Sequence, residues 1–173
     1  MTNSKLIDAD RLAKDLDFPK SDYLKEIEKI FGNKIINEKG SLNREVLGNI
    51  IYNDFNKKVE LDKITFKYVV AETEKKIIEL SRENPDYILI DAPLLFEAEI
   101  DKKCDIIIAV ISSENNKIER ICRRDNINPQ VAKSRLSIQK DDAFFKNNSD
   151  FVIENNGNIE DIKQEIERII KNI

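Results

Sequence analysis

The chain has 173 residues, 40% of them hydrophobic, which is enough for one domain with a substantial core. Its 29 basic and 33 acidic residues give a net charge of −4, so the chain as a whole has no electrostatic reason to bind nucleic acid or an anionic membrane. The absence of histidine excludes a Ser-His-Asp triad and every zinc site that uses histidine. No apolar run could span a bilayer or act as a signal peptide, so we expect a cytoplasmic protein.

Four apolar segments are typical of strands, and helical patterns separate them. The strands are predicted at residues 5–8, 87–92, 105–111 and 151–154. The second and third are continuous aliphatic runs, which favour strands covered on both faces in a parallel sheet. Helices are predicted over 22–31, 43–52, 61–80, 114–125, 129–139 and from Ile159 to Ile173. The alternation predicts an α/β domain with a large helical insertion between the first two strands.

Two carboxylates follow the first predicted strand, in Lys5-Leu-Ile-Asp-Ala-Asp10. Ligands of open α/β sheets bind at the carboxyl ends of strands, where Asp8 and Asp10 could take a proton from a hydroxyl or hold Mg²⁺ through water. One of the two could instead cap a helix over 11–16, because Asp is a favoured N-cap residue. The residues alone leave both interpretations open.

The second predicted strand ends in Asp91, just before Pro93. A hydrophobic strand that ends in Asp resembles the Walker B arrangement, in which the carboxylate supports Mg²⁺ at a phosphate site. The alternative is an ordinary strand-end Asp before a turn.

Arginines are concentrated in two successive predicted helices. Arg120 and Arg124 share a helix face, and Arg135 follows in the next helix. Guanidinium groups bind phosphate in a bidentate manner, so this segment could form a lid over a phosphate site. The alternative is a solvated surface in which the arginines pair with Glu119 and Asp125.

Six segments together resemble the dephospho-coenzyme A kinases, a family of P-loop nucleotide kinases. In chain order they are IDAD, KGSLNREVLG, IDAPLLFE, CDIIIAV, RICRRD and DFVIENNGN. The resemblance implies transfer of the γ-phosphoryl group of ATP, with Mg²⁺, to the ribose 3′-hydroxyl of dephospho-coenzyme A. That reaction is the last step of coenzyme A biosynthesis.

The resemblance also implies a single P-loop-kinase-like domain over 1–173 and roles for particular residues. Its α/β core would comprise 1–21, 83–118 and 149–173, its helical acceptor-binding region 22–82 and its lid 119–148. Asp10 stands in the position of the general base, Arg120 in that of a catalytic lid arginine, and Asp91 in that of the metal ligand. ATP contacts are implied for Arg124, Arg135, Asn156 and Gly157. Acceptor contacts are implied for Asp8, Arg44, Leu94, Leu95, Phe96 and Glu97.

Two features depart from the family pattern. The family has a strand, the phosphate loop G-x-x-x-x-G-K-[ST] and a helix before IDAD, whereas none of the four glycines here precedes a lysine or stands five positions before another glycine. We therefore expect the sheet to lack its central strand, between the second and third predicted strands, and ATP binding to be impaired. In addition, Phe66 and Lys67 stand where the family usually has His-Pro.

Two functions of different class follow from these observations. The first is a dephospho-coenzyme A kinase whose N-terminal segment is missing from the sequence. The alternative is a non-catalytic truncated remnant that at most binds coenzyme-A-like ligands or a partner. A third possibility, another nucleotide kinase, is disfavoured by the PLLFE segment at 93–97.

Overall fold

The structure is a computed structural model that describes residues 3–173, so residues 1 and 2 of the predicted domain lie outside the described residues. It divides into two compact units, one reaching to Lys103 and the other running from Cys104 to Ile173. This boundary falls inside the stretch 83–118, which the sequence assigns to one α/β core. The single domain over 1–173 stays a prediction.

The first unit is a parallel strand pair joined by a helical crossover. Its elements are β1 (Ser4–Asp8), α1 (Ala9–Asp15), α2 (Asp22–Phe31), a 3₁₀ turn (Asn33–Ile35), α3 (Arg44–Asn53), α4 (Phe55–Ser81), β2 (Tyr87–Asp91) and a second 3₁₀ turn (Ile100–Lys103). Strands β1 and β2 pair in register, from Ser4 opposite Tyr87 to Asp8 opposite Asp91. Parallel neighbours require a crossover connection, which the four helices provide.

Helix α4 is longer than the predicted helix over 61–80. The Asp54 carboxylate accepts the backbone N–H groups of Asn56 and Lys57 at 2.9 and 3.1 Å, which satisfies two N-terminal donors and starts the helix at Phe55. With 27 residues it is the element against which β1, β2 and the other three helices pack. No helix within residues 3–173, this one included, combines the length and apolarity needed to cross a bilayer.

The core of the first unit lies between its helices. Ile27 on α2 and Ile35 in the 3₁₀ turn are fully buried, each with 0% exposure. The ring of Tyr23 meets that of Tyr68 edge to face, with centroids 5.7 Å apart. These contacts join α2 to α4 through the centre of the unit.

A polar contact also joins α2 to α4. The Glu26 carboxylate accepts hydrogen bonds from the Lys67 ammonium at 2.7 and 3.0 Å and from the Tyr68 hydroxyl at 2.8 Å. The bonds from Lys67 and Tyr68 hold the pKa of Glu26 below its usual value. Burial, assisted by the bond to Glu26, raises the pKa of Tyr68 to about 12.

The second unit repeats the arrangement on a smaller scale. Its elements are β3 (Ile108–Ile111), α5 (Glu114–Asp125), α6 (Pro129–Leu136), α7 (Asp142–Asn147), β4 (Phe151–Glu154) and α8 (Ile159–Ile170). Strands β3 and β4 pair in parallel, with Ile108 opposite Phe151. The N-cap of α8 is Asn158, which forms a reciprocal capping box with Asp161.

Strand β3 and helix α7 differ from prediction, and helices α6 and α8 each end three residues before the predicted bound. Strand β3 begins at Ile108 rather than at 105, because the Asp150 side chain accepts the Ile107 N–H at 2.8 Å and the partner strand starts only at Phe151. Helix α7 was not predicted, because six residues carry too little apolar periodicity to indicate a helix. Its cap is Asp141, which accepts the N–H of Phe144 at 2.7 Å.

Both strand pairs have an exposed face, so the prediction of strands buried on both faces is wrong. Leu6 and Leu89 are 65% and 49% exposed, and Val110 is 62% exposed, whereas Ile7 and Ala109 are buried. Alternate side chains of a strand point to opposite faces, and only one face of each pair is covered. The α/β class with parallel strands and flanking helices is as predicted. Each pair is described as a two-stranded sheet of its own, and the absent central strand stays a prediction.

We expect Ile27→Ala to destabilise the first unit by about 2–5 kcal/mol, because a fully buried side chain leaves a cavity. Ile30→Ala is the matched control, since Ile30 lies on the same helix and is 39% exposed. All four tyrosines lie in the first unit and the chain has no tryptophan, so urea unfolding followed by tyrosine fluorescence reports on that unit. Equal losses in the two variants would contradict the central position of Ile27.

We also expect the contribution of Glu26 to depend on pH. Its pKa is lower in the folded state, so its stabilisation is complete above the ordinary value of 4.5 and disappears as the pH falls through the lowered value. Glu26→Gln should lower the free energy of unfolding by at most about 1 kcal/mol at neutral pH, because the ion pair is partly exposed. Glu28→Gln, exposed on the same helix, is the control in urea unfolding from pH 7 downwards. A difference that does not shrink at acidic pH would contradict this assignment.

Candidate functional site

Three carboxylates lie where β1 and β2 end. Asp8 and Asp91 are register neighbours on the two strands, and Asp10 follows in the first turn of α1. The carboxyl ends of parallel strands are where ligands of α/β proteins bind. This edge of the first unit is therefore the candidate site for the acceptor.

The structure separates the two carboxylates of IDAD. Asp8 is the N-cap of α1, and its Oδ1 accepts the backbone N–H of Arg11 at 2.9 Å. Asp10 is exposed, and no described residue forms a hydrogen bond or ion pair with its side chain. Its carboxylate is thus available to accept a proton from a bound hydroxyl.

A cavity of about 80 Å³ adjoins Asp10. Three elements form it: α1, the middle of α4, and the turns that follow β2. The lining residues are Ala9, Asp10, Ala13, Thr65, Phe66, Val69, Ala92, Pro93, Leu94, Ala98 and Ile100. Asp10 is the one charged residue among them.

The cavity brings together only some of the predicted acceptor residues. Leu94 lines it beside Pro93, whereas Leu95 packs against the core of the first unit. Phe96 is half-buried and Glu97 exposed, and neither is among the lining residues. Several backbone bonds fold this segment, among them those from the N–H of Ala98 to the carbonyl of Leu94 at 3.0 Å and from the N–H of Ile100 to the carbonyl of Leu95 at 2.9 Å.

Arg44 lies outside the cavity lining. It begins α3, and its guanidinium group pairs with Asp17 in the loop between α1 and α2. Burial raises the pKa of Asp17, although the neighbouring guanidinium group acts in the opposite direction. The ion pair joins the loop to α3. Arg44 therefore has a structural role in addition to any contact with the acceptor.

Two of the predicted phosphate-binding arginines, Arg124 and Arg135, are ion-paired. Arg124 donates two hydrogen bonds to Asp125, at 2.7 and 3.0 Å, and Arg135 on α6 shares the same carboxylate. The bonds from Arg124 hold the pKa of Asp125 below its usual value. The paired arrangement weighed from the sequence is therefore present, and any phosphate has to compete with Asp125 for these groups.

Arg120 is joined to the turn that follows β4. Its guanidinium group donates to the carbonyl oxygen and to the Oδ1 of Asn155, at 2.9 and 3.0 Å. The same turn contains Asn156 and Gly157, so the structure brings the predicted catalytic arginine next to two of the predicted ATP contacts. At Gly157 a Cβ atom would lie 2.6 Å from Oδ2 of Asp161, so a larger residue would displace the side chain that accepts the Asn158 N–H at the start of α8.

Ser112 and Ser113, which follow β3 and contact this turn, were missed from the sequence. Asn156 Oδ1 accepts the N–H of Ser113 at 2.7 Å and lies within 3.1 Å of the Ser112 hydroxyl and 3.4 Å of the Asn116 amide nitrogen. Ser112 is buried and also lies 2.9 Å from the Asn155 carbonyl oxygen. Its position at the carboxyl end of an aliphatic run was the available signal.

Comparison with known proteins assigns these features to one family. The model of the dephospho-CoA kinase family matches residues 2–161. A dephospho-CoA kinase of Fusobacterium nucleatum is 37% identical over 170 residues, which cover 98% of this chain and 86% of the relative. One of Carboxydothermus hydrogenoformans is 33% identical, with 96% and 81% covered.

The fold of this chain is also similar to that of solved structures. Dephospho-CoA kinase from Campylobacter jejuni is similar with a TM-score of 0.68 and 28% identity, covering 96% of this chain and 83% of that one. A structure from Thermus thermophilus, 19% identical, shares the fold with a TM-score of 0.77 over 98% of this chain and 85% of that one. From its sequence and from its fold, the chain belongs to the dephospho-CoA kinase family.

Proposed function

We propose that this chain serves the ATP-dependent phosphorylation of the ribose 3′-hydroxyl of dephospho-coenzyme A, the last step of coenzyme A biosynthesis. One observation carries the proposal. In a chain of this family, an exposed carboxylate without a described partner, Asp10, adjoins a cavity at the carboxyl ends of two parallel strands. A neutral hydroxyl next to that carboxylate is a suitable nucleophile.

Asp10 is the proposed general base. Its carboxylate takes the proton of the 3′-hydroxyl while that oxygen bonds to the γ-phosphorus and the bond to the β–γ bridging oxygen breaks. Asp8 is a positioning residue in this proposal. Its side chain caps α1 and so holds the first turn of that helix, which contains Asp10. In this proposal Asp10 is the reacting group and Asp8 is the positioning group.

Asp91 is the proposed Mg²⁺ ligand, and the donor set fits that ion. Mg²⁺ is usually held by one or two carboxylates together with water and substrate phosphates. Asp91 has the Asp8 carboxylate as its register neighbour, and residues 3–173 contain no group of three or more acidic or sulfur ligands that would form a site without substrate. The ion would neutralise charge on the β- and γ-phosphates.

The second unit supplies the proposed nucleotide contacts. Arg124 and Arg135 converge on one carboxylate from two helices, and phosphate oxygens can replace that carboxylate because guanidinium groups bind either anion in the same geometry. Arg120 is proposed to stabilise the transferring charge. Its bonds to Asn155 place it next to the turn of Asn156 and Gly157, which is proposed to lie by the base of ATP.

Phosphoryl transfer also needs a cradle for the β- and γ-phosphates. In P-loop kinases that cradle is a glycine-rich loop with a lysine at the start of a helix. The 173 residues contain no such motif. Because catalysis of this reaction is mostly positioning and charge stabilisation, the remaining groups should not be sufficient.

We expect the 173-residue chain alone to release little ADP from ATP when dephospho-coenzyme A is present. A version with a family-type strand, phosphate loop and helix joined before Lys5 should be active, and a graft whose loop lysine is alanine is its control. Activity confined to the intact graft would support the kinase proposal. Rapid turnover by the ungrafted chain would refute the need for the loop, and an inactive graft would favour the non-catalytic remnant.

In the active graft, Asp10→Asn should lower kcat by about 10²–10⁴-fold, because the amide cannot accept the hydroxyl proton. The KM for dephospho-coenzyme A should change much less. Asp15→Asn is the matched control, because Asp15 lies on the same helix and only forms a long surface pair with Arg11 at 3.9 Å. Equal effects of the two substitutions would remove Asp10 from the reaction.

A further inference from the structure

Arg120 is held in a different way from the other two arginines of the proposed nucleotide site. Its Nη2 group donates to the carbonyl oxygen and to the Oδ1 of Asn155, at 2.9 and 3.0 Å. No described carboxylate lies within ion-pair distance of its guanidinium group. Arg124 and Arg135, in contrast, both pair with Asp125. A neutral residue therefore fixes Arg120, and no direct partner neutralises its charge.

Resting on the function proposed above, we propose that Asn155 is a positioning residue for phosphoryl transfer, which holds Arg120 in place and leaves its charge for a phosphate group. The hydrogen bonds fix the guanidinium group. The neutrality of Asn155 keeps the positive charge available. Asn155 acts through Arg120 in this proposal and is not itself a catalytic residue.

The guanidinium group of Arg120 keeps donors for an anion while it is bonded to Asn155. A guanidinium group carries five N–H bonds, which are distributed over Nε, Nη1 and Nη2. Both bonds to Asn155 come from Nη2, and no described residue accepts from Nε or Nη1. A phosphate oxygen can therefore accept from either of these nitrogens without displacing Asn155. At Arg124, in contrast, Nε already donates to Asp125 at 2.7 Å, so an anion has to displace the carboxylate there.

The acceptor atoms of Asn155 are themselves fixed by the end of β3. The backbone N–H of Asn155 donates to the Ile111 carbonyl at 2.8 Å. Its carbonyl oxygen, which accepts from Arg120, also lies 2.9 Å from the hydroxyl of the buried Ser112. These acceptors therefore stay in place when the arginine binds an anion. Charge that is preorganised in this way costs no reorganisation at the moment of transfer.

A carboxylate at position 155 would hold the arginine but would oppose phosphate binding. Asp has the same shape as Asn, and its bond to a guanidinium group is stronger because it is charge-assisted. Its negative charge would, however, repel phosphate and offset the charge of Arg120. Asn155→Asp therefore keeps the holding contact and removes the available charge, which separates the two contributions of Asn155.

The first test measures the binding of tripolyphosphate to the 173-residue chain by NMR of the arginine Nε–H signals. The Arg120 signal should shift at lower tripolyphosphate concentrations than that of Arg124, whose Nε is already bonded. Asn155→Asp should weaken binding at Arg120 about fivefold or more. Asn115→Asp is the matched control, because it adds the same charge at an exposed position of the same helix and should leave this binding nearly unchanged.

Asn155→Ala distinguishes the proposal from a merely structural role. It stays neutral, keeps the backbone acceptor and loses only the bond to Oδ1, so it should weaken tripolyphosphate binding less than Asn155→Asp does. A structural role predicts the opposite order, because Asp retains both bonds. In the active graft, Asn155→Asp should also lower kcat about tenfold or more, with little change in the KM for dephospho-coenzyme A.

Three results would overturn the inference. They are an Arg120 signal that does not respond to tripolyphosphate, equal binding by the wild-type chain and Asn155→Asp, and a greater loss in Asn155→Ala than in Asn155→Asp. Tripolyphosphate binding needs neither the phosphate loop nor dephospho-coenzyme A. It can therefore succeed where the phosphorylation assay fails, so the two proposals are distinguishable.

Discussion

The parallel pairing of β1 with β2 is the constraint on which the candidate site depends. Register places Asp8 beside Asp91 at the same end of the pair, and Asp10 follows in the first turn of α1. Parallel strands cannot be joined by a tight turn, so the chain must travel back through helices before β2 can form. One of those helices, α4, provides one wall of the cavity through Thr65, Phe66 and Val69.

The second unit also joins two parallel strands through helices, but different groups follow the ends of its strands. Helices α5 to α7 connect β3 to β4, and the carboxyl ends of these strands lead into Ser112 and into the turn at Asn155. There the side chains bond to one another: Asn156 accepts from the segment after β3, and Arg120 donates to Asn155. Among the described residues, the strand pair of the first unit thus leads to a carboxylate without a partner, Asp10, and that of the second leads to an ordered polar turn.

Features with a local cause could be predicted from the sequence. The bounds of α2 and α5 agree with prediction, because apolar spacing and cap residues lie in the same short stretch. The sequence could not decide between Asp8 and Asp10, because the answer depends on backbone geometry at the entry to α1. The bond between Ser112 and Asn156 joins residues 44 positions apart, and nothing in either neighbourhood indicates it. Exposure of Leu6 and Val110 was missed because an aliphatic run does not say how many of its faces are covered.

The ion pairs of Asp125 with Arg124 and Arg135 affect the entropic cost of binding an anion at these arginines. A free arginine side chain loses about 2 kcal/mol of rotamer freedom when it is fixed on a ligand. Arg124 and Arg135 come from different helices, yet both are already directed at one point by the same carboxylate. In the function proposed above, a phosphate that exchanges with Asp125 would meet two side chains whose freedom was already restricted during folding. The entropic cost of ordering them would then fall on the folding of the second unit rather than on phosphate binding.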